Sequence, residues 1–551
     1  MRNSVHRLQV LLIAITLSFV LLTLRLINIQ LWSGPLLRAR AVRQQGYELV
    51  LELPRGGIYD RNHSSLTAST CQPILALFPN LIEDKISTAR ELALFLDLNP
   101  EDVLNKINIA QPFYYPVTRQ VPALTVFEAG SFPGVFLLQK QERYGANSLA
   151  RHLIGYVRAE ENMGVTGLEQ HFNSFLRQGA GLSLVAWVDA NKKLIPGLGF
   201  QQQVLGRMDG GQLVLTLDAH IQRIVEEVMD QHCEAGAAVV VQVETGELLA
   251  VASRPNFTQN RVEAYLDKTD ACLMNRAFLS YPPGSLFKIV VAAAALDEGV
   301  TDTEEEFLCE GFIQIGHQVY RCHQYEKGGH GPLTLTGAFA HSCNPVFITL
   351  AQRLGAERLL NYARRLGLGS TIALIPENKA GYIPGSAPFL GDLANISLGQ
   401  GSVLVTPLQM AQVTQIVANN GVFVPLWVVK KGPDGEMDPG DSKILLSSET
   451  AQKLQFLLQE TVVTGTGSLA AVPWLTLGGK TGTAETGRKD AEGKAVAHAW
   501  FAGFGPLEKP LLAVVIMVEE GGSGGEVAAP IFREIITRIY QEVSLQDLDV
   551  S

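Results

Sequence analysis

The run Ala237-Ala238-Val239-Val240-Val241-Gln242-Val243, the turn Glu244-Thr245-Gly246 and the run Glu247-Leu248-Leu249-Ala250-Val251-Ala252-Ser253 decide the fold. Two β-rich runs across a short glycine-bearing turn predict a hairpin. Just before it, Gln212 to Leu217 reads as a strand, and Asp218 is placed to cap a helix over Ala219 to Gln231. Far downstream, Ala499 to Gly505 and Leu511 to Val518 are again apolar and β-rich, and Ala529 to Glu542 has an amphipathic helical pattern. Helical text lies between, chiefly over Leu286 to Asp297 and Leu333 to Leu354. Strands at both sequence ends with helices between them predict an α+β domain whose sheet brings its terminal strands together.

Upstream, Val204-Leu205-Gly206-Arg207-Met208-Asp209-Gly210-Gly211 reads as a linker. The region before it is mixed, with Leu49, Leu51 and Leu53 alternating along a strand and a helical stretch over Ser87 to Leu96. At the start, Leu8 to Leu24 carries no charge and is interrupted only by Gln9, Thr16, Ser18 and Thr23. As a helix it reaches about 26 Å, and the apolar flank to Trp32 completes a membrane span if Arg25 snorkels. A cleaved signal is the competing reading, but the small-residue site Ala39-Arg40-Ala41 lies too far beyond the apolar run. Arg25, Arg38, Arg40 and Arg43 beyond the run outnumber Arg2 and Arg7 before it, so charge alone leaves the orientation open. The organisation expected is a tail over 1–7, an anchor over 8–32, a module over 45–205 and a larger domain over 206–545.

The composition narrows the function. Of 551 residues, 47% are hydrophobic and 18% charged, with a net charge of -10, which supplies large cores and no electrostatic footprint for nucleic acid. The cysteines at 71, 233, 272, 309, 322 and 343 are too scattered for a disulfide framework. Only Cys309 and Cys322 are close enough to suggest a local bridge. With His317, His323 and His330 the same region offers a zinc cluster, but no C-x-x-C or H-E-x-x-H spacing supports it, and no metal is expected.

Three short motifs carry chemistry. In Pro283-Gly284-Ser285-Leu286-Phe287-Lys288, a helix starting near Ser285 places Lys288 one turn on, so that its amine can reach the Ser285 hydroxyl. A serine needs an adjacent base, and a lysine depressed by burial and neighbouring positive charge can serve. Ser342-Cys343-Asn344 sets a hydroxyl and an amide two residues apart in a turn. Lys480-Thr481-Gly482-Thr483-Ala484-Glu485 offers a lysine and two hydroxyls along a strand edge as a carboxylate-binding row, with Gly482 admitting a ligand backbone. Gly479-Lys480-Thr481 also looks like the tail of a nucleotide P-loop, but position 474, where that pattern needs glycine, is Trp. Gly465-Thr466-Gly467 follows helical text and reads as a helix-terminating turn. Each motif alone is commonplace; their joint order is specific.

Together they match the S-x-x-K, S-x-N and K-T-G set of the penicillin-recognising serine enzymes. The chain resembles the class B, or monofunctional, penicillin-binding proteins over nearly its whole length. Supporting matches are Arg55-Gly56-Gly57-Ile58-Tyr59-Asp60-Arg61-Asn62, Gly167-Leu168-Glu169, Gly246-Glu247, Asn275-Arg276, His330-Gly331, Gly399-Gln400-Gly401, Thr406-Pro407-Leu408-Gln409 and Trp500-Phe501-Ala502-Gly503-Phe504. It departs from the family at Pro282, where an acidic residue is common.

The resemblance implies a penicillin-binding and serine β-lactamase-like domain, an antiparallel sheet flanked by helices plus an all-helical part, carried on an elongated mixed module and one transmembrane helix. It implies a peptidoglycan D,D-transpeptidase that β-lactams acylate. Ser285 would attack the penultimate D-Ala carbonyl of a donor stem peptide, with Lys288 as general base. Ser342 and Lys480 would shuttle protons, and Asn344 would position the donor amide. The backbone N–H groups of Ser285 and Thr483 would form the oxyanion hole, while Lys480, Thr481 and Thr483 hold the carboxylate beside Gly482. No cofactor is required.

A D,D-carboxypeptidase differs in using water as acceptor. A serine β-lactamase or β-lactam sensor would need a deacylating glutamate or hold the acyl group, and Glu377-Asn378-Lys379 lacks the E-x-x-L-N pattern. A role chiefly as a structural member of a wall-synthesis complex is the remaining alternative. Peptidoglycan lies outside the cytoplasmic membrane, so residues after about 33 would face out. With no glycosyltransferase domain visible before residue 205, a polytopic membrane glycosyltransferase is the expected partner, whether in cell-shape, division or sporulation synthesis.

Overall fold

The computed structural model describes residues 2–34, 37, 46–117, 132–158, 160–189, 191, 193–195, 198–266, 271–374 and 378–543. Arg38, Arg43, the Ala39-Arg40-Ala41 triplet, Glu377 and the chain beyond 543 lie outside the described residues. Two compact units emerge, Met1–Arg55 with Thr70–Arg143 and Gln178–Gly210, and Gly56–Ser69 with Tyr144–Arg177 and Gly211–Ser551.

The first unit opens with α1 (Arg2–Ile27). Val10–Gln30 has a mean hydropathy of 2.6 and spans a membrane by length and composition. The hydroxyls that interrupt the apolar run are satisfied within the helix: Thr16, Ser18 and Thr23 donate to the carbonyls four residues back at 2.8–2.9 Å. The module that follows is built on two three-stranded sheets. In one, β1 (Gly46–Glu52) and β6 (Phe200–Gly206) flank β5 (Ala180–Trp187); in the other, β3 (Phe113–Pro116) and β4 (Val135–Glu142) flank β2 (Thr70–Leu77). Strand pleating sends Ile74 and Ala76 of β2 into a core with Leu49, Leu51 and Leu184, and sends Leu75 and Leu77 the other way. There they meet α2 (Lys85–Leu96) and α3 (Pro100–Asn108) through Leu92, Val103 and Ile107. Helix α2 starts two residues before the expected Ser87 because Asp84 caps it, accepting from the N–H groups of Ile86 and Ser87.

The second unit carries the motifs. Asp218 caps α4 (Ala219–His232) as expected, and the hairpin follows as β7 (Gly236–Gln242) and β8 (Leu248–Arg254). Next come α5 (Lys288–Asp297), four short strands β9 (Glu306–Cys309), β10 (Phe312–Ile315), β11 (Gln318–Arg321) and β12 (Gly331–Thr334), then α6 (Leu335–Ala340), α7 (Asn344–Leu354), α8 (Pro407–Ala418) and α9 (Ser448–Val463). The chain closes with β13 (Gly478–Lys489), β14 (Ala495–Gly505), β15 (Leu512–Val518) and α10 (Ala529–Glu542). The main sheet has the order β8-β7-β15-β14-β13 with every pair antiparallel, so the first and last strands are neighbours.

Both faces of that sheet are buried. Ala237, Val239 and Val241 enter one core with α5 and α8, while Ala238 and Val240 enter the other with α4 and α10. Helix α5 is buried all round from Lys288 to Leu296, which suits a helix apolar on every side except at Lys288. The helical text from Leu333 to Leu354 is two helices, broken at His341 to Cys343, where Ser342 takes a left-handed φ of 53° and Pro345 follows in the first turn of α7.

Residues 56–69 belong to this unit and are held by charge. Asp60 accepts at Oδ1 from the N–H groups of Asn62 (2.9 Å) and Ser64 (2.6 Å) and at Oδ2 from Ala219 (3.0 Å). Arg61 pairs with buried Glu247 at 2.9 Å, and Asn62 donates to Asp218 at 3.1 Å.

Candidate active site

The first motif is a 3-10 turn, Gly284–Phe287, running directly into α5 at Lys288. A 3-10 turn repeats every three residues, so Ser285 and Lys288 share a face. Ser285 is half-buried and reachable, whereas Lys288 is fully buried. The Lys288 ammonium finds three acceptors, all on the second motif: the Ser342 carbonyl (2.8 Å), Ser342 Oγ (3.0 Å) and Asn344 Oδ1 (2.7 Å). A direct Ser285–Lys288 hydrogen bond is not among those of the described residues; such bonds often tighten only around substrate. Asn344 is fixed from its other side, its Nδ2 donating to the Arg321 carbonyl at 3.0 Å.

Burial drives Lys288 down to about 7, opposed by charge on the Cys343 and Cys322 thiols. The positive neighbour expected to help acts instead on Lys480: burial first, then Lys288, holds Lys480 well below its ordinary value. Among the described residues no carboxylate pairs with either amine. Each lies over an aromatic ring, Lys288 Nζ 5.5 Å from the Phe347 centroid and Lys480 Nζ 5.6 Å from that of Phe339.

The third motif lies on β13, the sheet edge. Here the structure corrects the single row of lysine and hydroxyls. Lys480 pairs across from Ala502 and Gly482 from Trp500, residues of the core that holds α5; Thr481 lies opposite Phe501 and Thr483 opposite Ala499, residues of the other core. A strand alternates, so Lys480 faces the helices that carry the first two motifs while both threonines face away. Thr481 is buried, its hydroxyl 2.6 Å from that of Thr466; Thr483 is exposed and its hydroxyl accepts from Gly524 N–H at 3.2 Å. Thr466, in the turn after α9, is therefore a site residue that its sequence context presents only as helix termination. Phe339 and Phe347 were also invisible, being ordinary core positions of α6 and α7.

Two glycines let the Ser285 turn and the edge strand touch backbone to backbone. Gly284 has a φ of +55°, and a Cβ there would lie 2.5 Å from the Thr483 carbonyl oxygen; a Cβ on Gly482 would lie 2.9 Å from the Pro283 carbonyl oxygen. Ser285, next to Gly284, is thereby held close to Thr483.

The cysteine region differs from both sequence readings. Cys309 and Cys322 are free thiols, and they group with Cys343 and His330, while His317 and His323 are not in the group.

Two family descriptions match the chain: "Penicillin-binding Protein dimerisation domain" over residues 51–206 and "Penicillin binding protein transpeptidase domain" over 236–537. Stage V sporulation protein D of Bacillus subtilis is 28% identical, over 96% of this chain and 84% of its own length. Penicillin-binding protein PbpB of Mycolicibacterium smegmatis is 30% identical, over 96% of this chain and 89% of its own. A chain solved in work on structural coordination of polymerization and crosslinking by a peptidoglycan synthase complex superposes with a TM-score of 0.73 at 27% identity, covering 98% of this chain and 99% of that one.

Proposed function

Because the chain belongs to the class B penicillin-binding proteins, we propose that Ser285 is its acylated nucleophile and that Lys288, wired to Ser342 and Asn344, is the base that activates it. The protein is a serine-type peptidoglycan D,D-transpeptidase of cell-wall cross-linking, held by its N-terminal helix with the transpeptidase domain outside the membrane. The observation that carries the residue assignment is a fully buried lysine, lowered to about 7 and bonded to both side chains of the second motif, one 3-10 turn from a reachable serine.

In this reading neutral Lys288 takes the Ser285 proton as Oγ bonds to the penultimate D-Ala carbonyl carbon of a donor ending in D-Ala-D-Ala. The developing oxyanion sits between the amides of Ser285 and Thr483, where each donor is worth about 3 to 4 kcal/mol. The proton returns through Ser342 Oγ, 3.0 Å from Lys288 Nζ, to the departing D-Ala amine as its C–N bond breaks. Lys480, whose amine burial holds well below its ordinary value, supplies a second proton carrier on the same face. Asn344 holds the donor amide, and Thr483 at the open edge, next to Gly482 and Thr481, receives the terminal carboxylate. An acceptor amine from a neighbouring stem peptide then resolves the acyl-enzyme. A β-lactam enters the same first step and stays. No step needs a cofactor.

The reading divides the chain into an anchor over 8–32, a module over 45–205 and a catalytic domain over 206–545. The stretch before 205 adds Gly56–Ser69 and Tyr144–Arg177 to the catalytic unit. Glycan strands come from a polytopic membrane glycosyltransferase met through the anchor and module. Exchanging the anchor and deleting the module should abolish co-purification with it.

Labelled penicillin should acylate the full chain at Ser285 and remain for minutes, and Ser285→Ala should lose the label. Retained label in that variant refutes the assignment. Lipid-linked glycan strands with an amine acceptor should give cross-linked dimer; D-Ala release without dimer would indicate a carboxypeptidase.

A further inference from the structure

Four side chains converge immediately behind the second motif. Cys309 ends β9, Cys322 follows β11, His330 precedes β12 and Cys343 precedes α7, and their ligand atoms all lie within 4.8 Å of one another. The fold builds this grouping from residues far apart in sequence. Strands β9 and β12 pair with Cys309 opposite Gly331, which sets His330 beside Cys309. Cys322 N–H donates to the Gly311 carbonyl at 2.7 Å, folding the β10–β11 hairpin back, and Cys343 N–H donates to the Ala338 carbonyl at 2.8 Å. The three thiols are buried, Cys322 Sγ is 3.4 Å from His330 Nδ1, and His330 Nε2 is buried with no hydrogen-bond partner among the described residues. None of these side chains has a part in the acyl transfer.

We propose that Cys309, Cys322, His330 and Cys343 bind one zinc ion whose role is to fix the catalytic turn. Three thiolates and an imidazole form a closed structural zinc set, soft and four-coordinate. With Zn–S near 2.3 Å, tetrahedral donors sit about 3.8 Å apart, so the observed spread closes by about an ångström. The spacing C-x12-C-x7-H-x12-C resembles no zinc motif, which is why the sequence argued against a metal; strand pairing replaces the short knuckles that such motifs use. The compartment adds a reason. Outside the membrane, neighbouring buried thiols would otherwise be open to oxidation, and coordination keeps them as thiolates.

The position gives the ion its consequence. Cys343 stands between Ser342 and Asn344, the two residues that hold Lys288, and Arg321, next to Cys322, supplies the carbonyl that orients Asn344. Ser342 also has a left-handed backbone, a conformation that persists only where its surroundings impose it. The ion touches no reacting atom and acts by positioning. This half rests on the roles given to Ser342 and Asn344 above; the metal half does not.

The test uses the full chain purified in detergent without added metal. Elemental analysis should find one zinc per chain, and alkylation with mass spectrometry should find the three thiols protected until a chelator and denaturant are added. Cobalt(II) exchanged into the protein should show the visible absorption of a tetrahedral thiolate site. His330→Ala should lose the metal, and His330→Cys should regain it. Acylation by labelled penicillin should slow about 10- to 100-fold in His330→Ala, in the acylation rate constant and not in initial binding, and recover in His330→Cys. Metal-free protein with three reactive thiols, or a disulfide between any two of them, overturns the site. One zinc in the wild type with undiminished acylation in metal-free His330→Ala overturns the positioning role. Label on a residue other than Ser285 would refute the catalytic assignment and leave the zinc count standing.

Discussion

The second unit buries cations in two contrasting ways. At the junction of residues 56–69, Arg61 meets Glu247, and Asp60 is saturated by three backbone N–H groups, so each charge has a partner of opposite sign or a set of dipoles. In the candidate active site, Lys288 and Lys480 are buried more completely, with hydroxyl, amide and carbonyl oxygens and aromatic rings for company and, among the described residues, no carboxylate. The first arrangement keeps ions as ions and converts them into attachment. The second makes the ionic form expensive and so yields an amine able to take a proton near neutral pH. Burial is common to both; the presence of a counter-ion decides whether the outcome is structure or reactivity.

The largest expected effect breaks the reactive side. Lys288→Met should reduce acylation by about 10²- to 10⁴-fold, the range of a lost general base, while changing the melting temperature little, because removing a buried amine that has no counter-ion among the described residues offsets the loss of a donor to its three acceptors. Stopped-flow labelling and calorimetry on one preparation check both halves, and a fall in both would place Lys288 with the structural ions. Glu247→Ala should do the reverse, costing about 3 to 5 kcal/mol of stability by stranding Arg61, with near-normal acylation of the folded fraction. Denaturant melts read it.

A pH profile sharpens the contrast. In its proposed role Lys288 acts when neutral, and burial lowers it to about 7, so acylation should fall about tenfold for each pH unit below that point and flatten above it. A profile flat between pH 5 and 8 would contradict a lysine base. The smallest effect is at Thr466→Val, which removes the 2.6 Å partner of Thr481; about 1 kcal/mol, or roughly fivefold in acylation efficiency, is expected.

The sheet, the Asp218 cap and the three motifs were readable because each depends on local pattern: alternation, a capping carboxylate, a fixed spacing. What escaped depends on which side of an element a residue takes, or on segments meeting from afar. The row of Lys480, Thr481 and Thr483 was misread because adjacent residues of a strand cannot share a face. Thr466 gains its place only because the turn after α9 lies against β13. The Cys309, Cys322, His330 and Cys343 group depends on the β9–β12 register, to which their spacing gives no clue.

The contact between Gly284 and the Thr483 carbonyl, answered by that between Gly482 and the Pro283 carbonyl, has a consequence for heredity. Where two main chains already touch, any side chain at either position would wedge the Ser285 turn away from the strand, so those codons have little freedom to drift. Adaptation to an altered ligand must be written elsewhere, in exposed positions such as Thr483, where a substitution would change the grip proposed for it without changing the width of the slot.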